Sequence, residues 1–302
     1  FWRENTHAPS FNFAKISPAN TSENRIQLAC MLFTDYAAAL SLRSMLGAQQ
    51  MDELVNGRAR NITGWLGQPR GEMIQLAKAQ PNVLATLDTS DLLVTEPETQ
   101  SHRSMETGGL VIKGASSATR NMEFQLADIP AAGSANVVVF LTIAAEPLPE
   151  FPAFVARRIK VDAVRADGTP IELSLRPEQN MFELGPNDYF GYVNQEPFEL
   201  SFYFFDVLSE TITLNLTVEG RAAIELINVS AHAAPDLVLR EFDHGLVLAN
   251  PDPSASHTVD LEQLFPGLKL RKISGSDPVN DGSRVGRTIT LPARDAMILR
   301  KR

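Results

Sequence analysis

Cysteine is almost missing from these 302 residues. Cys30 is the only one, so neither an intrachain disulfide nor a cysteine-based metal cage can form. It lies in the apolar run Leu28-Ala29-Cys30-Met31-Leu32-Phe33, where a buried inert thiol is a plainer reading than a reactive one. Histidine is scarce as well. His7, His102, His232, His244 and His257 lack the i,i+4 or short-loop spacing that brings two imidazoles onto one ion, so no transition-metal centre is expected. The Gly-x-Ser-x-Gly of a nucleophile elbow is lacking, so serine-hydrolase chemistry has no support in the sequence. No run of eighteen apolar residues occurs, so no membrane-spanning helix is expected and the membrane is not expected as a partner. Positive charge is in deficit: 27 Lys and Arg face 36 Asp and Glu, for a net charge of -9. Nucleic acid is therefore not expected as a partner, because neutralising phosphates needs clustered cations.

What is present reads as an ordinary globular chain, 44% hydrophobic and 21% charged. Its length exceeds one usual core and predicts two or three domains. Absence of disulfides fits the cytoplasm but also large periplasmic or extracellular domains, so the compartment stays open. The chain starts Phe1-Trp2-Arg3-Glu4 with neither an initiator Met nor a charged-then-apolar signal, which reads as a processed, trimmed or incomplete product.

From Asn24 to about Leu46, Ile26, Cys30, Phe33, Ala37 and Leu40 fall on one helical stripe, with Ser22 and Glu23 able to serve the start. Glycines and Pro69 then punctuate a loop-rich stretch, and Glu72 to Gln80 reads as a second short helix stopped by Pro81. After Asp88 the pattern changes to short β-branched or alternating runs: 109–112, 122–126, 137–143, 159–164, 171–173, 198–204, 211–218 and 223–229. Asp167-Gly168 is the strongest hairpin cue. Thr211 to Val218 alternates polar and apolar throughout, as a strand between core and water should. A second β block follows Pro235, with runs at 237–242, 245–249, 258–261, 269–273, 288–291 and 296–299. The expected fold is mainly β. A short helical or irregular segment over 1–87 precedes a jelly-roll-like sandwich over 88–234 and a small antiparallel β-sandwich over 235–302.

Candidate chemistry is sparse. Asp35 beside Tyr36 stands in an apolar stretch, where an unpaired carboxylate is costly and is retained only with partners or a cleft nearby. Asp52 and Glu53 are adjacent, so on a helix they point about 100° apart and cannot be a facing acid–base pair; a solvated surface charge is the plainer reading. Trp65, Tyr189 and Tyr192 stand in loop-like contexts where a ring could stack on a sugar, Tyr189 and Tyr192 being the candidate platform. Phe202-Tyr203-Phe204-Phe205 is strand-like, so core packing explains most of that cluster. No cofactor is expected. Structural calcium is left open at Asn187-Asp188 or Asn280-Asp281, although such residues usually form turns.

Three motifs point to a family: Arg240-Glu241-Phe242-Asp243-His244-Gly245-Leu246-Val247-Leu248-Ala249-Asn250-Pro251, then Thr258-Val259-Asp260-Leu261, then Thr288 to Leu299 with its Leu-Pro-x-x-Asp-x-x-Ile-Leu. Together they resemble the C-terminal β-domain of glycoside hydrolases built on a TIM barrel, over about a fifth of the chain. Asn24 to Leu42 and Gly64-Trp65-Leu66-Gly67-Gln68-Pro69-Arg70-Gly71 look like the last barrel strand and helix region of those enzymes. On this resemblance the middle block is an inserted sandwich similar to carbohydrate-binding modules, and carbohydrate is the implied partner, with the missing N-terminal barrel portion as another. A barrel needs about 250 residues, so the catalytic carboxylates have no matching position here and catalysis is expected outside this chain. Asp35, Tyr36, Asp52, Glu53 and Trp65 would then line the cleft of the complete enzyme. The rival readings are a non-catalytic sandwich that binds glycan or a protein, and an intact enzyme completed by oligomerisation.

Overall fold

A computed structural model describes residues 22, 25–26, 29, 32–33, 66–84, 92–94, 100–114, 121–148, 157–171, 190–273 and 281–302. The chain divides into two compact units, Ala77–Ser174 with Phe182–Pro235, and Phe1–Leu76 with Leu175–Met181 and Asp236–Arg302. Strands are numbered along the chain. β1 is Pro69–Gln75, β2 Leu92–Val94, β3 Gln100–Arg103, β4 Leu110–Lys113, β5 Met122–Pro130 and β6 Asn136–Ala145. β7 is Arg157–Arg165, β8 Pro170–Ile171, β9 Phe190–Val193, β10 Phe198–Phe205, β11 Thr211–Val218 and β12 Ile224–His232. β13 is Val238–Phe242, β14 Gly245–Asn250, β15 His257–Asp260, β16 Leu270–Lys272, β17 Thr288–Leu291 and β18 Asp295–Lys301. The mainly-β expectation is met, and every strand pair among the described residues is antiparallel.

The first unit is a two-sheet sandwich. One sheet runs β10-β6-β12-β4-β3; the other runs β2-β5-β11-β7-β8, with β9 also on β7. Period-two patterning builds its core: in β11, Ile212, Leu214, Leu216 and Val218 are buried while Thr211, Thr213, Asn215 and Thr217 stay half-buried. They meet Val137, Val139, Leu141 and Ile143 of β6 and Leu200, Phe202 and Phe204 of β10 in one cluster. Each such side chain contributes about 1.5–3 kcal/mol by leaving water. Asp167-Gly168 makes the expected turn, Gly168 at φ +83° and Asp167 Oδ1 accepting from the Thr169 N–H at 2.9 Å.

Arg157 is fully buried at the end of β7. Its guanidinium donates to the carbonyls of Glu219 (2.7 Å), Ala222 (3.0 Å), Glu146 (3.1 Å), Ala223 (3.2 Å) and Gly220 (3.3 Å). Burial lowers its pKa to about 10, against the pull of Glu219 and Glu146, so it remains a cation at neutral pH. It thereby satisfies a loop's worth of carbonyls that would otherwise be orphaned.

The second unit centres on the sheet β1-β13-β14-β18-β16. One face packs on the β15–β17 pair through Leu239, Leu246, Leu248, Val259, Ile289, Leu291 and Leu299. The other carries Phe242, Val247, Ala249, Ala296 and Ile298 against Ile26, Ala29 and Leu32. Arg25, Ile26, Ala29 and Leu32 are helical, in agreement with the expected N-terminal helix, and Arg25 clamps Asp295 bidentately at 2.7 and 2.8 Å.

The expected helix over Glu72 to Gln80 is overturned. Pro69–Gln75 is an edge strand on β13, and only Leu76–Ala79 turns as a 3-10 helix. Neighbouring helix formers lose here to the hydrogen bonds that β13 offers, a tertiary override of local preference. This pairing also makes Pro69-Arg70-Gly71, the end of the stretch that resembles the last barrel region, part of an antiparallel sheet.

Candidate functional site

The sandwich's two outer faces differ in chemistry. On the β10-β6-β12 side, Val138, Phe140 and Tyr203 are buried beneath Ala77 and Ala234. Lys78 Nζ lies 4.7 Å over the Phe140 ring, and His232 meets that ring edge-on at 5.6 Å. Tyr203 Oη donates to Asn136 Oδ1 at 2.6 Å. This half of the face is closed by the chain itself.

On the β5-β11-β7 side the outward positions are mostly polar, Val164 opposite Thr213 being an apolar exception, and among the described residues they are half-buried or exposed. Register sets Gln125, Asn215 and Asp162 side by side in one row, and Glu123, Thr217 and Lys160 in the next. All six are half-buried or exposed. At about 4.8 Å per strand each row spans roughly 10 Å. Gln125 Nε2 donates to Asn215 Oδ1 at 2.7 Å, which leaves Asn215 Nδ2 as a further donor and Gln125 Oε1 as a further acceptor on this face. Lys160 Nζ and Asp162 Oδ2 are 3.1 Å apart, and Arg158 pairs with Glu219 at 3.0 Å. Partial burial opposes ionisation of Glu219, but the Arg158 hydrogen bonds and charge prevail and hold its carboxyl below the usual range. The face thus offers amides, a hydroxyl and internally neutralised ion pairs, groups suited to uncharged hydroxyls.

Of the residues singled out in the sequence, Asp35, Tyr36, Asp52, Glu53, Trp65 and Tyr189 lie outside the described residues, as do Asn187, Asp188 and Asn280. Tyr192 lies within β9 at the register position opposite Arg158, so a strand replaces the expected loop there. Asp281 Oδ1 accepts from the Ser283 N–H at 2.9 Å and stands 3.9 Å from Lys272. That is a turn-forming role. Among the described residues no three His, Cys, Asp or Glu side chains gather as a metal set. Phe202 and Phe204 face the core, as expected. Gln125, Asn215, Asp162 and Lys160 were missed. Their signal was the polar half of three alternating runs.

No protein-family profile matches the sequence, and no curated protein matches it. Solved structures similar to the chain are carbohydrate-binding modules of β-sandwich form. The xylan-binding first CBM22 domain of Xyn10C from Paenibacillus barcinonensis is 11% identical at a TM-score of 0.34, covering 51% of this chain and 94% of its own. The C-terminal CBM6 of LamC from Zobellia galactanivorans is 11% identical at 0.29, covering 53% and 99%. The mannan-recognising module TmCBM27 is 12% identical at 0.30, covering 54% and 100%.

Proposed function

We propose that the sandwich unit binds carbohydrate on the outer face of β5-β11-β7, and that the chain belongs to a larger glycoside-hydrolase-type protein whose catalytic residues lie outside it. The observation that carries the binding reading is the contrast just described: the chain closes one outer face with its own apolar residues and leaves on the other a two-row grid of amide, hydroxyl and paired charged groups. Sugar hydroxyls need donors and acceptors fixed in place, and strands hold such groups more firmly than loops. Tyr192, at the register position opposite Arg158 in β9, and Tyr189 are the aromatic candidates that the sequence offers for this site. The hydrolase context is supported by the closing motifs, which form the β13–β14 hairpin and the β15, β17 and β18 strands. The closing unit then serves as a supporting domain, with Asp35, Tyr36, Asp52, Glu53 and Trp65 at the cleft of the whole enzyme.

The test is affinity electrophoresis of the chain through gels containing α- and β-linked neutral polysaccharides. Retardation by at least one, reduced by Asn215→Ala, supports the reading. Absence of retardation across the panel favours the rival, a sandwich that binds a protein partner. Chromogenic glycosides should not be turned over by this chain; turnover abolished by Asp35→Asn would place catalysis within it.

A further inference from the structure

The closing unit carries a concentration of positive charge that the sandwich reading leaves unused. Arg271 of β16 stands in register with Arg300 of β18 on one side and bridges to Arg284 on the other. The next outward position after Arg300 is Arg302, whose N–H donates to the Lys269 carbonyl at 3.0 Å. All four arginines are exposed. Neighbouring cations behave differently: Lys272 faces Asp281, Arg287 holds Asp260 at 2.8 Å and Lys301 holds Glu241 at 2.5 Å. Among the described residues, none of the four has a carboxylate partner.

Like charges set directly across a ladder destabilise a sheet. The strain registers at Arg302, whose pKa is lowered, first by the charge of Arg284 and to a lesser extent by burial and by Arg271. In a protein of net charge -9 with acids to spare, four guanidinium groups at one sheet edge without a carboxylate partner among the described residues call for an anion from outside. Strand geometry spaces them about 5 Å across the ladder and about 7 Å along it. Each presents a planar fork that matches carboxylate, sulfate or phosphate oxygens.

We propose that Arg271, Arg284, Arg300 and Arg302 form an anion-binding edge that takes a polysaccharide bearing sulfate or carboxylate groups. The choice of a polysaccharide as the carrier rests on the carbohydrate reading of the sandwich; the anion chemistry rests on the arginines alone. Overall negative charge repels a long polyanion at distance, so the contact is short-ranged and confined to this edge.

Calorimetry on the full chain, with dextran sulfate, polygalacturonate, unmodified dextran, inorganic sulfate and a single-stranded oligonucleotide, tests this. Binding of dextran sulfate or polygalacturonate is expected, with dextran itself inert at this edge. The double variant Arg271→Gln/Arg300→Gln should weaken binding by about tenfold or more, since each lost charged hydrogen bond is worth about a decade in affinity. Its melting temperature should stay level or rise as the like-charge contact is relieved. Binding of neither anionic polysaccharide overturns the proposal, as does equal binding by the double variant, an oligonucleotide bound as tightly, or response to inorganic sulfate only. Neutral polysaccharides run beside these with wild type and Asn215→Ala report separately on the sandwich: absence of neutral binding by the wild type, with dextran sulfate still bound, removes that reading and leaves the edge intact, whereas neutral binding lost only in Asn215→Ala supports it.

Discussion

The two outer faces of the sandwich start from the same material, alternate positions of antiparallel strands, and end as opposites. On β6 the outward residues Asn136, Val138 and Phe140 are buried, so that strand is buried on both sides over its first half. On β11 the outward residues are Thr211, Thr213, Asn215 and Thr217, and none is buried. The first pattern needs a cover, supplied by Ala77 and Ala234; the second needs none for stability. A face that is ordered, polar and uncovered is where a sandwich can spend residues on recognition without weakening its core.

Substitutions can break or sharpen this contrast. Phe140→Ala, on the closed face, should cost about 3–5 kcal/mol in chemical denaturation, because it opens a cavity under Ala77 and removes the Lys78 and His232 ring contacts. An effect below about 1 kcal/mol would mean that this face is not closed. Arg157→Met should destabilise by roughly 3 kcal/mol, since it strands several buried carbonyls without a donor. If hydrophobic packing alone held that end, the methionine would be neutral. On the open face, Gln125→Ala should shift denaturation by no more than about 0.5 kcal/mol while reducing polysaccharide retardation severalfold. Glu219→Gln gives the smallest effect. The folded carboxyl of Glu219 is held below its ordinary value of 4.5, so its pairing contributes above that pH and is lost as pH falls through the lowered folded pKa. The small gap in melting temperature between wild type and this variant should be present at pH 7 and shrink in acid below about pH 4.

Much of the fold was legible. The 211–218 and 288–291 runs coincide with β11 and β17, because clean alternation reports a half-buried strand directly. β2, β3 and β9 were not read; they are short, and Gln100-Ser101-His102-Arg103 is exposed throughout, without the apolar half that marks a strand. β1 looked helical because its pairing with β13 joins residues about 170 positions apart, which no local window contains. The same non-local register hid the candidate face. Gln125, Asn215 and Asp162 each stand as unremarkable polar residues in their own strands and become one row only through the order β5-β11-β7. Aromatics in apparent loops drew attention first, since a ring is conspicuous in sequence and a row of amides is not.

Affinity electrophoresis of wild type, Asn215→Ala and Phe205→Ala across neutral polysaccharides tests the central claim most directly, because Asn215 lies on the open face and Phe205 at the margin of the closed one. The account predicts that Asn215→Ala loses retardation while Phe205→Ala keeps it. Retardation lost in Phe205→Ala and kept in Asn215→Ala, with both variants folded, would put the binding face on the wrong sheet.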